Sequence, residues 1–191
     1  MTAQLPAKLA EVRKRYHKQQ EKRDFTITHS RELTKKSKHA IHLLHEQNLS
    51  LANKKLQEVK ELQETIRTQG DINQPSYKHA TEEYVEAATL HAFIQEKELP
   101  LPEELLVDEE TYYAGLCDVA GEVTRLATRA AIKRDEQFIK RSYELLQELQ
   151  GELLQLTLRN NHLRKKADSV KYNVKKLEQL QYEYSLRRRE E

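Results

Sequence analysis

The chain has 191 residues, and its 33 basic and 31 acidic side chains nearly cancel to a formal net charge of +2. Any affinity for nucleic acid must therefore come from local basic patches, because the bulk charge provides none. With four glycines, four prolines and one cysteine, the composition favours long helices and excludes an internal disulfide.

Residues 6–45 predict a first helical tract that is strongly basic. The β-branched residues within 25–28 weaken helix propensity and predict a bend, in which case Ser30 or Thr28 would cap the second half. The opening stretch MTAQLPAKLAEVRKRYHK contains no apolar run like that of a signal peptide, and no segment approaches the roughly 20 apolar residues of a membrane span. With its single Cys117, the chain is predicted to be soluble, cytoplasmic and without a membrane partner.

The segment RELTKKSKH within the first tract is a candidate nucleic-acid-binding surface. It carries Arg31, Lys35 and Lys38 along one helical face, with Lys36 nearby, a spacing that suits contacts to successive phosphates. A second candidate patch is formed by the arginines at 187–189. A run of charge is also typical of a solvated helix face, and this reading stays open for both patches.

The helix predicted over residues 77–98 contains the stretch EEYVEAATLHAFI. At 100° per residue, Glu83 and Glu86 fall on the same stripe as Leu90 and Phe93, which should be buried. An ionised carboxylate on a core-facing stripe is costly unless a cation pairs with it. The sequence therefore predicts a cation near these two acids.

The helix predicted over residues 109–133 repeats this pattern, because Asp118 and Glu122 lie four residues apart and share a face. Gly115 and Gly121 are unfavourable in a helix interior, so they predict the close approach of another backbone or of a ligand. The preceding LPLPEELLVDEE is a loop with a short helical turn at PEELL.

Helices over residues 135–189 complete the predicted architecture. It is a single all-α domain over residues 1–191, a bundle of about six to seven helices.

Four carboxylates on two helices can converge if the helices pack side by side. Such an oxygen-rich set suits a hard divalent cation, Mg²⁺ or Mn²⁺, although His79, one turn before Glu83, keeps a nitrogen ligand open. The alternative is that the acids form structural ion pairs, for example between Glu122 and Arg125.

The paired acidic motifs resemble those of the translin family. EEYVEAATLHAFI followed by LCDVAGEVTRLA is similar to the motifs of its translin-associated factor X branch, and SRELTKKSKHAIHLLHE is similar to the family's N-terminal basic helix. The similarity extends over nearly the whole chain, including LRKKADSVKYNVKKLEQLQYEYSLRR. The short ends favour a prokaryotic member.

The resemblance implies an α-helical fold that assembles into a hollow, octamer-like oligomer, alone or with a translin-type subunit. It also implies a Mg²⁺-dependent endoribonuclease that acts on single-stranded RNA, with Glu83, Glu86, Asp118 and Glu122 as the metal-binding and catalytic acids. A non-catalytic oligomeric protein that binds single-stranded RNA or DNA is the alternative.

Overall fold

The computed structural model describes residues 4–159 and 162–189, which form seven helices and no strand within those ranges. The all-α prediction is therefore confirmed. None of the described helices is long and apolar enough to span a membrane. The helices are α1 Gln4–His45, α2 Leu49–Gln69, α3 Pro75–Ile94, α4 Pro102–Leu105, α5 Glu109–Ile132, α6 Glu136–Gln155 and α7 His162–Arg189.

The first helix is continuous through the segment where a bend was expected. Thr26 has one local and one tertiary hydrogen bond: its hydroxyl donates to the Lys22 carbonyl of the same helix at 2.9 Å and accepts from the Asp71 amide at 2.7 Å. Ser30, an expected cap, is instead buried within the helix. Residues 5–19 of α1 are exposed to solvent along their whole length, so the helix extends beyond the bundle.

The core lies where α3 and α5 pack against each other and against their neighbours. On its other sides α3 contacts α1 and α2, while α5 contacts α6 and α7. Fully buried aliphatic side chains from six of these helices form one cluster, including Leu33, Val59, Leu90, Val123, Leu146 and Leu177.

The packing of α3 on α5 depends on Gly115. A Cβ atom added at this position would lie 2.5 Å from the Cβ of Val85 and 2.8 Å from the carbonyl oxygen of Glu82. The close backbone approach predicted from the glycines is thus confirmed at Gly115. At Gly121 a Cβ atom would meet no described atom within 4 Å beyond the backbone of its own helix.

The bounds of α3 and α5, the two helices that carry the acidic motifs, follow from the residues at their ends. Helix α3 begins at Pro75, which is favourable at a helix N-terminus, and stops at Ile94, four residues before the predicted end, because Glu96 adopts a left-handed conformation with φ 56°. Helix α5 is capped by Asp108, whose side chain accepts from the Thr111 amide at 2.8 Å.

Candidate metal and nucleic-acid site

An open cavity of about 620 Å³ lies among α1, α3, α5 and α7. The four predicted acids, Glu83, Glu86, Asp118 and Glu122, all line it, so two motifs separated by about thirty residues are brought together. The other charged or titratable side chains of the lining are Lys38, His79, Cys117, His162 and Lys166.

Glu83 and Asp118 each contact a lysine from another helix. The Lys38 ammonium of α1 lies 3.1 Å from Glu83 Oε1, and His79 lies 3.8 Å from the same oxygen. The Lys166 ammonium of α7 donates hydrogen bonds to Asp118 and, at 2.7 Å, to Glu82. Of these two lysines, Lys38 is a cation of the kind that the sequence predicted near Glu83.

Glu122 is held by a histidine and an arginine. Its carboxylate hydrogen-bonds the buried His45 at the end of α1 and lies 3.6 Å from the Arg125 guanidinium. The hydrogen bond from His45 is the main reason that the pKa of Glu122 lies below its ordinary value. The His45 carbonyl in turn accepts from Arg129 at 3.1 Å, which fixes the end of α1 against α5. The contacts of Glu122 are therefore those of a structural ion pair.

Glu86 differs from the other acids because, within the described part of the chain, it makes no hydrogen bond and no ion pair. Its exposed fraction is only 9%. Burial, together with the charges of Asp118, Glu83 and Glu122, outweighs the opposing charge of Lys166 and raises the pKa of Glu86 to about 8. In the cation-free protein this carboxyl therefore holds a proton at neutral pH.

Lys166 remains charged despite its burial. Burial alone would lower the pKa of its ammonium, but hydrogen bonds to Asp118 and Glu82 outweigh it and raise the pKa above the ordinary value. The side chain is 14% exposed and crosses from α7 to reach acids on both α3 and α5.

The donor set fits a hard divalent cation by its chemistry. Carboxylate oxygens are the ligands that such ions prefer, and Glu86 is a buried carboxyl group that faces three other acids and has no partner within the described part of the chain. Within the described residues, however, no three histidine, cysteine or acidic side chains are already grouped as metal ligands. A cation could be bound only if the lysine ion pairs opened.

The four basic residues predicted to form one surface on α1 lie in different surroundings in the structure. Lys36 points toward α2, where its ammonium lies 2.7 Å from Glu58, and Lys38 points into the acidic cavity. Arg31 and Lys35 are exposed. The side chains at 187–189, the second predicted patch, lie outside the described residues.

Sequence reasoning missed Glu82, His45 and Lys166 as members of this site. A signal for Glu82 was present, because it precedes Glu86 by four residues and therefore shares a helical face with it. His45 and Lys166 had no such signal. They are 77 and 48 residues from their acidic partners Glu122 and Asp118, and only helix packing brings each pair together.

Solved structures with the same fold bear the name C3PO. Apo-NeC3PO superposes with a TM-score of 0.84 at 29% sequence identity, over 92% of this chain and 96% of that one. AfC3PO in a complex with duplex RNA gives a TM-score of 0.84 at 24% identity, over 96% of this chain and 100% of that one. The second likeness, at this identity, concerns the fold alone.

Curated relatives carry the name Translin. The chain is 36% identical to Translin of Gallus gallus over 81 residues, which cover 42% of this chain and 35% of that protein. Translin of Homo sapiens is 33% identical over 81 residues, 42% of this chain and 36% of that protein. The matched segment thus spans about a third of the length of these relatives. The Translin family model, by contrast, matches residues 21–188. The chain belongs to the Translin family.

Proposed function

We propose that this protein is a metal-dependent endoribonuclease of the factor X type that cleaves single-stranded RNA within an oligomer. The observation that carries the proposal is the convergence of four acids on one open cavity, where Glu86 is buried and has no hydrogen-bond or ion-pair partner among the described residues. A protein that only packs its helices has no need of a buried carboxyl group facing three others.

Each acid has a separate role in this proposal. Glu83, Glu86 and Asp118 would hold Mg²⁺ or Mn²⁺, and Glu86 must first release the proton that it holds at neutral pH. Glu122, oriented by His45, would be an additional ligand or would orient water. When bound, the cation would supply positive charge that polarises a phosphate oxygen and activates water for attack on the phosphodiester.

The RNA would be held by contacts to its phosphates. Arg31 and Lys35 are exposed on α1, and Lys38, farther along the same helix, reaches the cavity, so a strand that lies along α1 would be led toward the acids. Phosphate contacts alone do not distinguish ribose from deoxyribose, so single-stranded DNA is also a proposed ligand.

We further propose that the protein acts in the cytoplasm. Its single cysteine, Cys117, is a buried free thiol, and burial raises the pKa of that thiol to about 12. An unreactive unpaired thiol suits a reducing compartment.

The decisive experiment is cleavage of a labelled, unstructured RNA by the pure protein in Mg²⁺ or in EDTA. We expect cleavage only with the metal, and a loss of about a hundredfold or more in Glu86→Gln. The matched control is Glu152→Gln, which makes the same change at an exposed position on α6 and should cleave as the wild type does. Circular dichroism checks the fold of both variants. A Glu86→Gln variant that cleaves like the wild type would contradict the proposal.

A second candidate function is binding of single-stranded nucleic acid without cleavage. Its supporting observation is that cations of the chain itself already contact Glu82, Glu83, Asp118 and Glu122. It predicts salt-sensitive RNA binding that persists in EDTA, with the RNA left intact in either Mg²⁺ or Mn²⁺.

A further inference from the structure

The acidic cavity contains two lysines that are anchored on helices other than those that carry the acids. Lys166 extends from α7 to contact Glu82 on α3 and Asp118 on α5, and Lys38 extends from α1 to contact Glu83 on α3. Each ammonium therefore contacts carboxylate oxygens that a divalent cation would require.

The two lysines differ in how firmly they are held. The Lys166 side chain is 14% exposed and has two acidic partners, whereas the Lys38 side chain is 60% exposed and has one. An exposed ion pair contributes little because solvent screens it, while an ion pair away from water interacts more strongly. Lys166 should therefore be the main cation in the cavity.

Glu86 shows that these lysines do not neutralise the whole cavity. It is buried among Asp118, Glu83 and Glu122, and no lysine, arginine or histidine of the described residues lies within ion-pair distance of it. The cavity thus retains a carboxyl group for a further cation, but Asp118 beside it is occupied by Lys166.

We propose that Lys166 is a displaceable counter-ion of the acidic cavity, which a divalent cation must exchange for itself in order to bind Asp118. A lysine suits this role, since its ammonium is a point charge on a flexible stem and can move away from the acids without unfolding α7. The inference rests on the proposed function, because it assumes that the cavity takes up a divalent cation.

The Lys166 ammonium, once displaced from the acids, would have a new partner in the phosphate of a bound strand. Lys166 lies at the same open cavity as Lys38 and His162, so once displaced it remains close enough to contact a phosphate of a strand entering there. Through this exchange, binding of the metal would favour binding of the strand, and by linkage the strand would favour the metal to the same extent.

Titration calorimetry of the pure protein with Mn²⁺ tests the exchange. We expect Lys166→Met to bind Mn²⁺ at least about tenfold more tightly than the wild type, because a competing charge a few ångströms from the site has been removed. Lys38→Met should tighten binding less. The matched control is Lys165→Met, the same change at the exposed neighbouring position on α7, which should leave the affinity near that of the wild type.

Lys166→Arg is the second test, and it remains decisive if Lys166→Met proves unstable. A guanidinium can hold both acids through its fork of donors, so this variant should bind Mn²⁺ more weakly than the wild type. Unchanged or weaker affinity in Lys166→Met, or no Mn²⁺ binding by any variant, would overturn the inference. Calorimetry does not measure cleavage, so a protein that binds Mn²⁺ yet leaves RNA intact would contradict the nuclease proposal alone.

Discussion

At the scale of single residues, the environment of Glu86 sets its chemistry. The neighbouring acids have cations from the chain itself, whereas Glu86 has burial and three negative neighbours, which together raise its pKa to about 8. The identity of the residue and its position on the helix were readable from the sequence. Its protonation state was not, because that depends on Asp118 and Glu122, which lie on another helix.

The raised pKa of Glu86 predicts a stability that depends on pH. Between pH 4.5 and about 8 the folded protein keeps a proton that the unfolded chain has lost, so this residue lowers the free energy of unfolding as pH rises. Glutamine does not ionise, so Glu86→Gln removes this loss of stability at higher pH. Thermal melts without metal should show that the variant and the wild type melt alike near pH 4.5. Above pH 8 the variant should be more stable, by a few kcal/mol at most.

The difference between the two proteins is the informative quantity, because groups far from Glu86 titrate alike in both. A gain in stability that is the same at every pH would show that Glu86 is not the group responsible. A variant less stable than the wild type at pH 9 would show that the ionised carboxylate has a partner.

At the scale of elements, α3 and α5 approach closely because Gly115 has no side chain. This contact sets the distance between the two acidic motifs, since Glu82 provides the carbonyl oxygen nearest the missing Cβ and Asp118 lies three residues beyond Gly115. The unusual glycines indicated the close approach, but only the packing identified which of the two required it.

Gly115→Ala should destabilise the protein by about 1–3 kcal/mol, since the added Cβ would overlap Val85 and a backbone carbonyl, neither of which can move independently. Gly121→Ala, on the same helix, should have the opposite effect on stability. A Cβ atom at position 121 would have no described atom within 4 Å beyond the backbone of its own helix, so alanine should stabilise the helix by about 0.5–1 kcal/mol. Urea denaturation of both variants measures the difference, and a stable Gly115→Ala protein would disprove the close contact.

The exposed part of the basic surface on α1 predicts a salt-dependent contribution to RNA binding. Arg31→Ala and Lys35→Ala should each weaken the binding of unrelated RNA sequences alike and reduce the slope of log K against log salt by about one. Fluorescence anisotropy over a range of salt concentrations measures both effects. Lys54→Ala, at an exposed lysine on α2, is the control and should not change the slope.

Lys36 should behave differently from these two residues despite its place in the same sequence motif. The Lys36 ammonium donates a hydrogen bond to Glu58, and this bond is the main reason that the pKa of Glu58 is lowered to about 2. Lys36 therefore links α1 to α2. We expect Lys36→Ala to lower the melting temperature slightly and to leave the salt slope of RNA binding unchanged.

At the scale of the whole molecule, the N-terminal part of α1 has no partner among the described residues. Its apolar side chains Leu5, Leu9, Val12 and Tyr16 are each at least half exposed and lie on one face at alternating spacings of four and three residues. This pattern is typical of a helix that packs against another helix. It supports the proposal that the protein acts within an oligomer, with this stripe as one of its interfaces.

Leu9→Lys should therefore reduce the mass of the assembly, because it places a charge at the centre of the apolar stripe. Size-exclusion chromatography with light scattering measures that mass. Ala7→Lys adds the same charge on the opposite face of the exposed helix and should leave the assembly unchanged. If the mass of Leu9→Lys equals that of the wild type, this stripe is not an interface of the assembly.

The sequence by itself determined the helical class, the approximate bounds of the helices and the shared faces of Glu83 with Glu86 and of Asp118 with Glu122. These are local properties, set by composition and by the rotation of 100° per residue along a helix. The tertiary structure decided the partners of those acids. Lys166 and His45 reach the site because apolar burial packs α7 against α5 and α1 against α3, and the pairing of distant helices leaves no periodic signal in the chain.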